Sequence, residues 1–376
     1  MRTPLTVNDW RAAAKRKLPR FVFEYLDGAA EDGLSLRRNR AAFEAVALRP
    51  RVLRDTTRFD ASVELLGQRW AQPFAIAPTG LNGLVRPGGD IALARAAARM
   101  DVPFILSTAS NERLEAVRAA APKAELWLQL YVMQEPGITE QLLRRARAAG
   151  FNTLVLTVDV PVSGLRERDV RNGFKLPFRM TPRLALDLAL HPRWAMRQAL
   201  AGEPRFVNLV EVPDAALGPQ AQAALLARAM DRSLDWSWLA RVRADWPGNL
   251  VLKGVLHPED ARLALEAGVD ALVASNHGGR QLDGAIAPLA ALPQIVDAVE
   301  GRIPVILDSG VRRGIDIAKA LSLGAAAVLI GRPTLYGLAA QGEDGAVQVL
   351  EGLRSELERC LILMGADCAS ALRGST

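Results

Sequence analysis

The segment Ser275-Asn276-His277-Gly278-Gly279-Arg280-Gln281-Leu282-Asp283 sets an imidazole and a guanidinium three residues apart among glycines, directly after the apolar run Ala271–Ala274. A base beside a fixed cation can take a proton from a substrate that is held by its carboxylate. The chain has only three histidines, so His277 does not belong to a diffuse polar surface. The plainer reading, a satisfied polar group in a glycine-rich turn, stays open on this segment alone.

Two further glycine-bearing stretches carry cations: Asp308-Ser309-Gly310-Val311-Arg312-Arg313-Gly314 and Ile330-Gly331-Arg332-Pro333-Thr334. Glycine lets backbone N–H groups approach an anion, and arginine adds charge-assisted bonds. Each alone is a common helix-boundary turn; together they predict a phosphate site. The dinucleotide fingerprint and the nucleotide P-loop are absent. Lys253 could stabilise negative charge on a bound ring, and Gln129, Thr157 and Ser107 could meet its carbonyl and N–H edge. Such a set suits an isoalloxazine without excluding another heterocycle, and Ser107 or Thr157 could merely cap loops.

The elements that must position these groups are legible in the pattern from residue 73 onward. Eight short apolar runs read as strands: Pro73–Pro78, Pro103–Ser107, Leu126–Tyr131, Thr153–Val158, Leu250–Lys253, Ala271–Ala274, Pro304–Leu307 and Ala326–Ile330. Helical stretches such as Asp90–Met100, Ile138–Ala149, Pro258–Ala267, Gly314–Leu323 and Asp344–Met364 lie between them. Near-continuous apolar strands alternating with helices predict a parallel sheet covered on both faces. Eight units predict an α/β fold, a (β/α)8 TIM barrel, with an open doubly wound sheet as the rival. The polar candidates fall at the strand exits, where barrel chemistry is assembled: Gly80, Ser107, Gln129 and Tyr131, Thr157 and Asp159, Lys253, Ser275 and His277, Asp308, and Gly331-Arg332. The expected organisation is one domain over 1–376, with an N-terminal helical extension over 1–72, a barrel over 73–365 and a long insertion over 161–249 after strand four.

That insertion is too long for an ordinary loop and holds its own helical pieces, Gln220–Met230 and Ser237–Asp245. From Leu176 to Arg205 it carries five arginines against Asp187 and Glu203, among Leu184, Leu186, Leu188, Leu190, Trp194, Met196 and Leu200. Such a surface could rest on an anionic membrane, and a lid folded over the barrel would look similar. Pro182 and Pro192 interrupt any long helix, and His191 reads as a packing or surface residue. Half the residues are hydrophobic, which supports a sizeable core. The net charge of +6 is spread without basic runs or interleaved aromatics, so nucleic acid is not an expected partner. The two cysteines have no metal-site spacing, so no metal is expected and a reducing compartment is the simpler assumption. No apolar stretch approaches eighteen residues, and Met1–Lys17 lacks the pattern of a secretory signal.

From about Trp10 to Gly365 the chain resembles the FMN-dependent 2-hydroxy acid dehydrogenase/oxidase family. The markers are the nine-residue segment at 275–283, Leu252-Lys253-Gly254, Leu128-Gln129-Leu130-Tyr131, Leu156-Thr157-Val158-Asp159 and the Asp308–Gly314 stretch. The resemblance implies FMN as cofactor, His277 as the base, and Asp159 orienting it. It implies Arg280 and Arg166 on the substrate carboxylate, with Tyr25 and Tyr131 beside them, and Lys253 supporting the reduced flavin. Pro78, Thr79, Gly80, Ser107, Gln129 and Thr157 would address the ring. Arg312, Arg332, Gly310 and Gly331 would secure the phosphate and Asp308 the ribityl chain, with Ser275 and Ser309 also at the cofactor.

Gly80 stands where oxidase relatives carry alanine, which implies a dehydrogenase passing electrons to a quinone or other respiratory acceptor. Ala109 stands where glycolate oxidase carries tryptophan, which implies room for a larger substituent. The expected reaction is therefore (S)-mandelate to benzoylformate, as in the mandelate dehydrogenase subgroup. L-lactate dehydrogenation and an oxygen-using, peroxide-forming oxidase are the alternatives. An isoprenoid isomerase on a flavin barrel and a non-enzymatic scaffold stand further off. The resemblance also implies a homotetramer, and the basic, apolar stretch 176–205 is the expected contact with the inner membrane on its cytoplasmic side.

Overall fold

A computed structural model describes residues 4–173, 181–209 and 230–374. Eight parallel strands close into a barrel in chain order: Phe74–Ile76, Phe104–Ser107, Leu126–Leu130, Thr153–Thr157, Asn249–Val255, Ala271–Ala274, Val305–Leu307 and Ala327–Ile330. Every strand expected from the sequence is present, with ends shifted by at most two residues. The eighth pairs with the first, Leu329 opposite Ala75, which rules out the open sheet.

Strand alternation divides the apolar residues into two layers. Ile105, Trp127, Val155, Val251, Val273, Ile306 and Leu329 fill the barrel interior. Leu106, Leu128, Leu154, Leu252, Leu272 and Val328 face the surrounding helices. The inward parity continues to the strand exits, where Ser107, Gln129, Thr157, Lys253 and Ser275 follow two residues after those interior side chains. The same period therefore packs the core below and builds a polar floor above it. Register fixes neighbours on that floor: Ser107 beside Gln129, and Thr157 beside Lys253.

The N-terminal extension contains three helices, Val7–Lys17, Arg20–Asp27 and Leu34–Ala45, and also a hairpin that the expected helical extension did not include. The hairpin pairs Val63–Leu65 with Gln68–Trp70 across Leu66-Gly67, both at positive φ (52° and 75°), the geometry of a tight primed turn. Its Trp70 meets Trp127 edge-on at 5.4 Å and plugs the end of the barrel opposite the polar floor. The helices are fastened to the barrel by Asp27, which accepts from Arg11 Nε (2.6 Å) and from the Tyr336 hydroxyl (2.7 Å).

Within the long connection after strand four, the described helices are Glu167–Arg171, Pro182–Leu190, Pro192–Ala201 and Trp236–Asp245. Pro182 and Pro192 each open a helix at its first turn, where the missing N–H costs nothing. The expected helix at Gln220–Met230 lies outside the described residues except for Met230, as do positions 176–180 of the basic stretch.

Candidate active site

Most residues of the 275–283 segment have a separate task. Ser275 Oγ accepts from the His277 backbone N–H (3.0 Å), takes the Lys253 ammonium (3.2 Å) and donates to Asp308 (2.6 Å). Asn276 and Asn39 exchange amide bonds at 2.7 and 2.8 Å, joining the turn to the helix Leu34–Ala45. Gly279 packs so tightly on that helix that a Cβ would stand 2.6 Å from the Leu36 nitrogen. Gln281 clasps the strand-four loop by donating to the carbonyls of Asp159 (3.2 Å) and Val162 (2.8 Å). Asp283 accepts from the N–H groups of Leu34 and Ser35, capping the same helix from outside. His277 itself is held at φ 58°, a left-handed conformation that costs a side-chain-bearing residue and recurs at functional sites.

The imidazole lies between an acid and a phenol. Its Nδ1 is 3.0 Å from Asp159 Oδ1 and its Nε2 is 3.3 Å from the Tyr131 hydroxyl. Asp159 reaches it because the fifth strand bulges at Gly254, whose φ of 111° and missing Cβ leave room; a Cβ there would stand 2.7 Å from Asp159 Cβ. Burial pushes the Asp159 carboxyl up, but the His277 and Lys253 charges with the His277 bond outweigh it and hold it below the usual range. Burial, then the Asp159 charge, raises the Tyr131 phenol, so it stays a donor at neutral pH.

Arg280 and Arg166 converge on Tyr25, their guanidinium carbons 5.0 and 5.7 Å from its ring centre. Arg280 donates to the carbonyls of Tyr25 (2.7 Å) and Gly28 (3.1 Å), and Arg166 lies 3.4 Å from Asp169. Burial first, and the Arg166 charge second, depress the Arg280 pKa. A buried guanidinium, Arg280, beside the half-buried Arg166 leaves two like charges side by side, an arrangement that an anion between them would relieve.

On the polar floor, Ser107 donates to Gln129 Oε1 at 3.0 Å, while the Gln129 amide nitrogen, Thr157 Oγ1 and Asp159 Oδ2 are buried without a protein partner. Orphans of this kind in one place mark a polar ligand edge. Lys253, 3.4 Å from Asp308, stands beside them. Gly310, at φ 97°, packs on Phe43 and Asn39, and Ser309 accepts from the Gly278 N–H at 2.9 Å. Arg332, expected at the phosphate, donates to the carbonyls of Leu26 (3.1 Å), Gly278 (3.0 Å) and Gly28 (2.6 Å). Burial and the nearby Arg280 charge lower its pKa to about 10. Its guanidinium has five N–H donors, so it can tie down the N-terminal segment and still meet an anion. Arg312 donates to the Val311 carbonyl at 2.7 Å.

The sequence reading missed a network behind the Pro78-Thr79-Gly80 turn. Asp90, wholly buried, accepts from Asn82 (2.7 Å), the Ser110 hydroxyl (2.8 Å) and the Asn111 N–H (3.3 Å). Asn82 in turn donates to the Thr79 carbonyl at 3.0 Å, so one carboxyl joins the loops after strands one and two. Those loops meet where Gly80 faces Ala109, at 2.9 Å from a would-be Cβ. Asp90 opens an amphipathic helix, where an acid reads as an ordinary first-turn residue; only its burial reveals the role.

The profile of the FMN-dependent dehydrogenase family matches residues 14–376. The chain belongs to the FMN-dependent dehydrogenase family. Similar proteins include the (S)-mandelate dehydrogenase of Pseudomonas putida, 45% identical over 97% of this chain and 92% of that one. An L-lactate dehydrogenase of Caulobacter vibrioides is 46% identical over 97% of this chain and 95% of its own length. Among solved structures, the monotopic membrane protein (S)-mandelate dehydrogenase matches with a TM-score of 0.95 and 43% identity, covering 99% of this chain and 98% of that one. As a member of this family the protein is an oxidoreductase with FMN as its cofactor, of the 2-hydroxy acid dehydrogenase type. The residues fit that cofactor: the orphaned Gln129 and Thr157 atoms suit the flavin's polar edge, and Lys253 suits the charge on its reduced form.

Proposed function

We propose that the protein oxidises an (S)-2-hydroxy acid with a bulky substituent, (S)-mandelate to benzoylformate, and delivers the electrons to a quinone-type acceptor. The observation that carries the reading is the His277 imidazole, with its Nε2 on the Tyr131 hydroxyl, its Nδ1 on Asp159 and the Arg166–Arg280 pair close by.

The two arginines hold the carboxylate by charge-assisted bonds and fix the reacting carbon, which removes translational freedom before reaction. An Nδ1–H donating to Asp159 leaves Nε2 as the proton acceptor. As His277 takes the proton of the 2-hydroxyl or the 2-carbon, the Asp159 carboxylate stabilises the imidazolium that forms. Tyr131, kept protonated, donates toward the substrate oxygen. Lys253, Gln129, Thr157, Ser107 and the turn Pro78-Thr79-Gly80 are the residues that would hold the isoalloxazine, with Ser275 supporting Lys253. Arg312, Arg332, Ser309, Gly310 and Gly331 would hold the phosphate, and Asp308 the ribityl chain. Bound FMN supplies a two-electron acceptor.

Support for the aryl substrate is the small Ala109 beside Gly80 and the likeness to (S)-mandelate dehydrogenase. The likeness to L-lactate dehydrogenases supports a second reading with lactate as substrate. Anaerobic mixing of the FMN-loaded protein with (S)-mandelate, L-lactate and glycolate separates them: mandelate should bleach the flavin at least tenfold faster than either. Faster bleaching by lactate would replace the aryl reading, and stoichiometric peroxide during turnover in air would replace the dehydrogenase by an oxidase.

Peripheral membrane contact, on the cytoplasmic side of the inner membrane, is supported by the outer face of the helices Pro182–Leu190 and Pro192–Ala201. Leu186, Leu190, Met196 and Leu200 there are 63%, 70%, 62% and 85% exposed. These helices rest on the N-terminal helices, where Trp194 meets Phe21 at 5.7 Å and Asp187 accepts from the Arg20 N–H (2.7 Å). No helix among the described residues is long and apolar enough to cross a membrane. A homotetramer is part of the same proposal and is read by light scattering.

A further inference from the structure

The helix Pro192–Ala201 is pinned to the barrel rather than hung from a loop. Trp194 Nε1 donates to the Leu84 carbonyl (3.0 Å) and the Gln198 amide to the Gly83 carbonyl (3.1 Å), both in the turn after the first barrel strand. Arg86 leaves that same turn half-buried, its guanidinium packed on Gly342, where a Cβ would stand 2.9 Å from the guanidinium carbon. Lys17, the last residue of the helix Val7–Lys17, donates to the Ala340 carbonyl. Arg193 and Arg197 lie about a turn apart on the pinned helix, close enough that their charges act on Lys17. The C-terminal end of the helix Arg332–Gln341 offsets part of the Lys17 and Arg86 charge. Nothing comparable meets Arg193 and Arg197, and among the described residues no carboxylate forms an ion pair with any of the four.

From this convergence we infer that Lys17, Arg86, Arg193 and Arg197 form a seat for the phosphate of an anionic lipid headgroup, placed beside the exposed leucines of the same helices. The inference rests on the peripheral-membrane reading and extends it: half of the seat comes from outside the insertion, from the first helix and the barrel itself. The electrostatics agree. Partial burial first, then the fields of Arg197, Arg193 and Arg86, push the Lys17 ammonium below its ordinary value, and burial with Arg197 does the same to Arg86. Four cations in one another's field stay together at least cost when an anion sits among them. A lipid phosphate is the chosen source because the neighbouring surface is apolar; free phosphate would gain nothing from Leu190, Met196 or Leu200.

The test is co-sedimentation of the full-length, FMN-loaded protein with vesicles of phosphatidylglycerol or phosphatidylcholine. The double variant Lys17→Ser/Arg86→Ser should lose about thirtyfold in partitioning to phosphatidylglycerol, since each basic group at an anionic surface contributes roughly a factor of five. Its flavin reduction rate should match that of the unaltered protein, which shows that it folds. The control Lys123→Ser/Arg302→Ser removes the same charge from exposed positions just before strands three and seven, at the far end of the barrel. Equal binding by the Lys17/Arg86 variant, or equal loss by the control, overturns the seat. A third variant, with Leu186, Leu190, Met196 and Leu200 replaced by serine, tests membrane contact separately. If it alone detaches, the membrane reading stands and the seat falls. If the unaltered protein ignores both vesicles, both fall.

Discussion

His277 and Asp90 are two buried-site groups of opposite electrostatic character. His277 has its polar atoms matched on both sides, so its removal should strike the reaction and leave the cofactor site intact. His277→Ala is expected to slow anaerobic flavin reduction by roughly 10²–10⁴-fold with FMN retention unchanged; normal reduction would sink its assignment as base. Asp90 has only neutral partners, and burial lifts its pKa to about 6 from 3.8. A carboxyl raised in the folded state binds its proton more tightly there than in the unfolded chain. Stability is therefore lost as pH rises from about 4 to about 6, by on the order of 3 kcal/mol, and the loss persists above that range. Asp90→Asn should abolish this dependence because an amide does not titrate, and Ser110 can accommodate it by turning its proton to the Glu112 carbonyl it already touches at 3.0 Å. Thermal melts across pH 4.5–7 that keep the same slope in the variant would refute it.

At the scale of elements, the fifth strand decides whether the base has its acid. Its bulge at Gly254 leaves the room in which the Asp159 side chain lies against the strand edge. Gly254→Ala should therefore cost about 1–3 kcal/mol from the unfavourable φ alone, together with a fall in turnover as Asp159 is displaced. Denaturant titration and anaerobic reduction kinetics read the two effects, and a silent substitution would mean the bulge does not position the acid. The same logic runs through the 275–283 turn. Asn276, Gly279 and Asp283 are spent on the helix Leu34–Ala45, so the catalytic turn and the N-terminal extension hold each other in place.

For the whole molecule, the N-terminal helices and the barrel meet around groups that await a ligand. Arg332 bonds the carbonyls of Leu26 and Gly28, while the Gln129 and Thr157 atoms on the floor have no protein partner. FMN should thus act as a structural member, raising stability by about 4 kcal/mol at a thousandfold excess over its dissociation constant. Removing it should lower the melting temperature and expose the Arg20–Ala45 region to protease. Equal protection with and without FMN would show that the extension stands independently of the cofactor.

Much of this was legible from residue order, and the limits of that legibility are physical. Strand period and apolar runs depend on local patterning, so the eight barrel strands and the polar residues at their exits could be read directly. The 275–283 segment placed an imidazole and a guanidinium three residues apart, and the flanking motifs, not that segment alone, gave them a task. Contacts between distant segments were not legible. The Leu66-Gly67 hairpin in the extension, the Asp90 network, the Gly254 bulge against Asp159 and the meeting of Lys17 with Arg193 each join residues whose proximity no local period encodes. Residue order carries the strand count and the polar strand exits through spacing along single elements, whereas FMN and the roles of His277, Asp159 and Arg280 rest on the resemblance of whole motifs to one family. Which of those groups face one another, and which lack partners, emerges from the fold, because burial and electrostatic environment arise when the strands close and the helices pack.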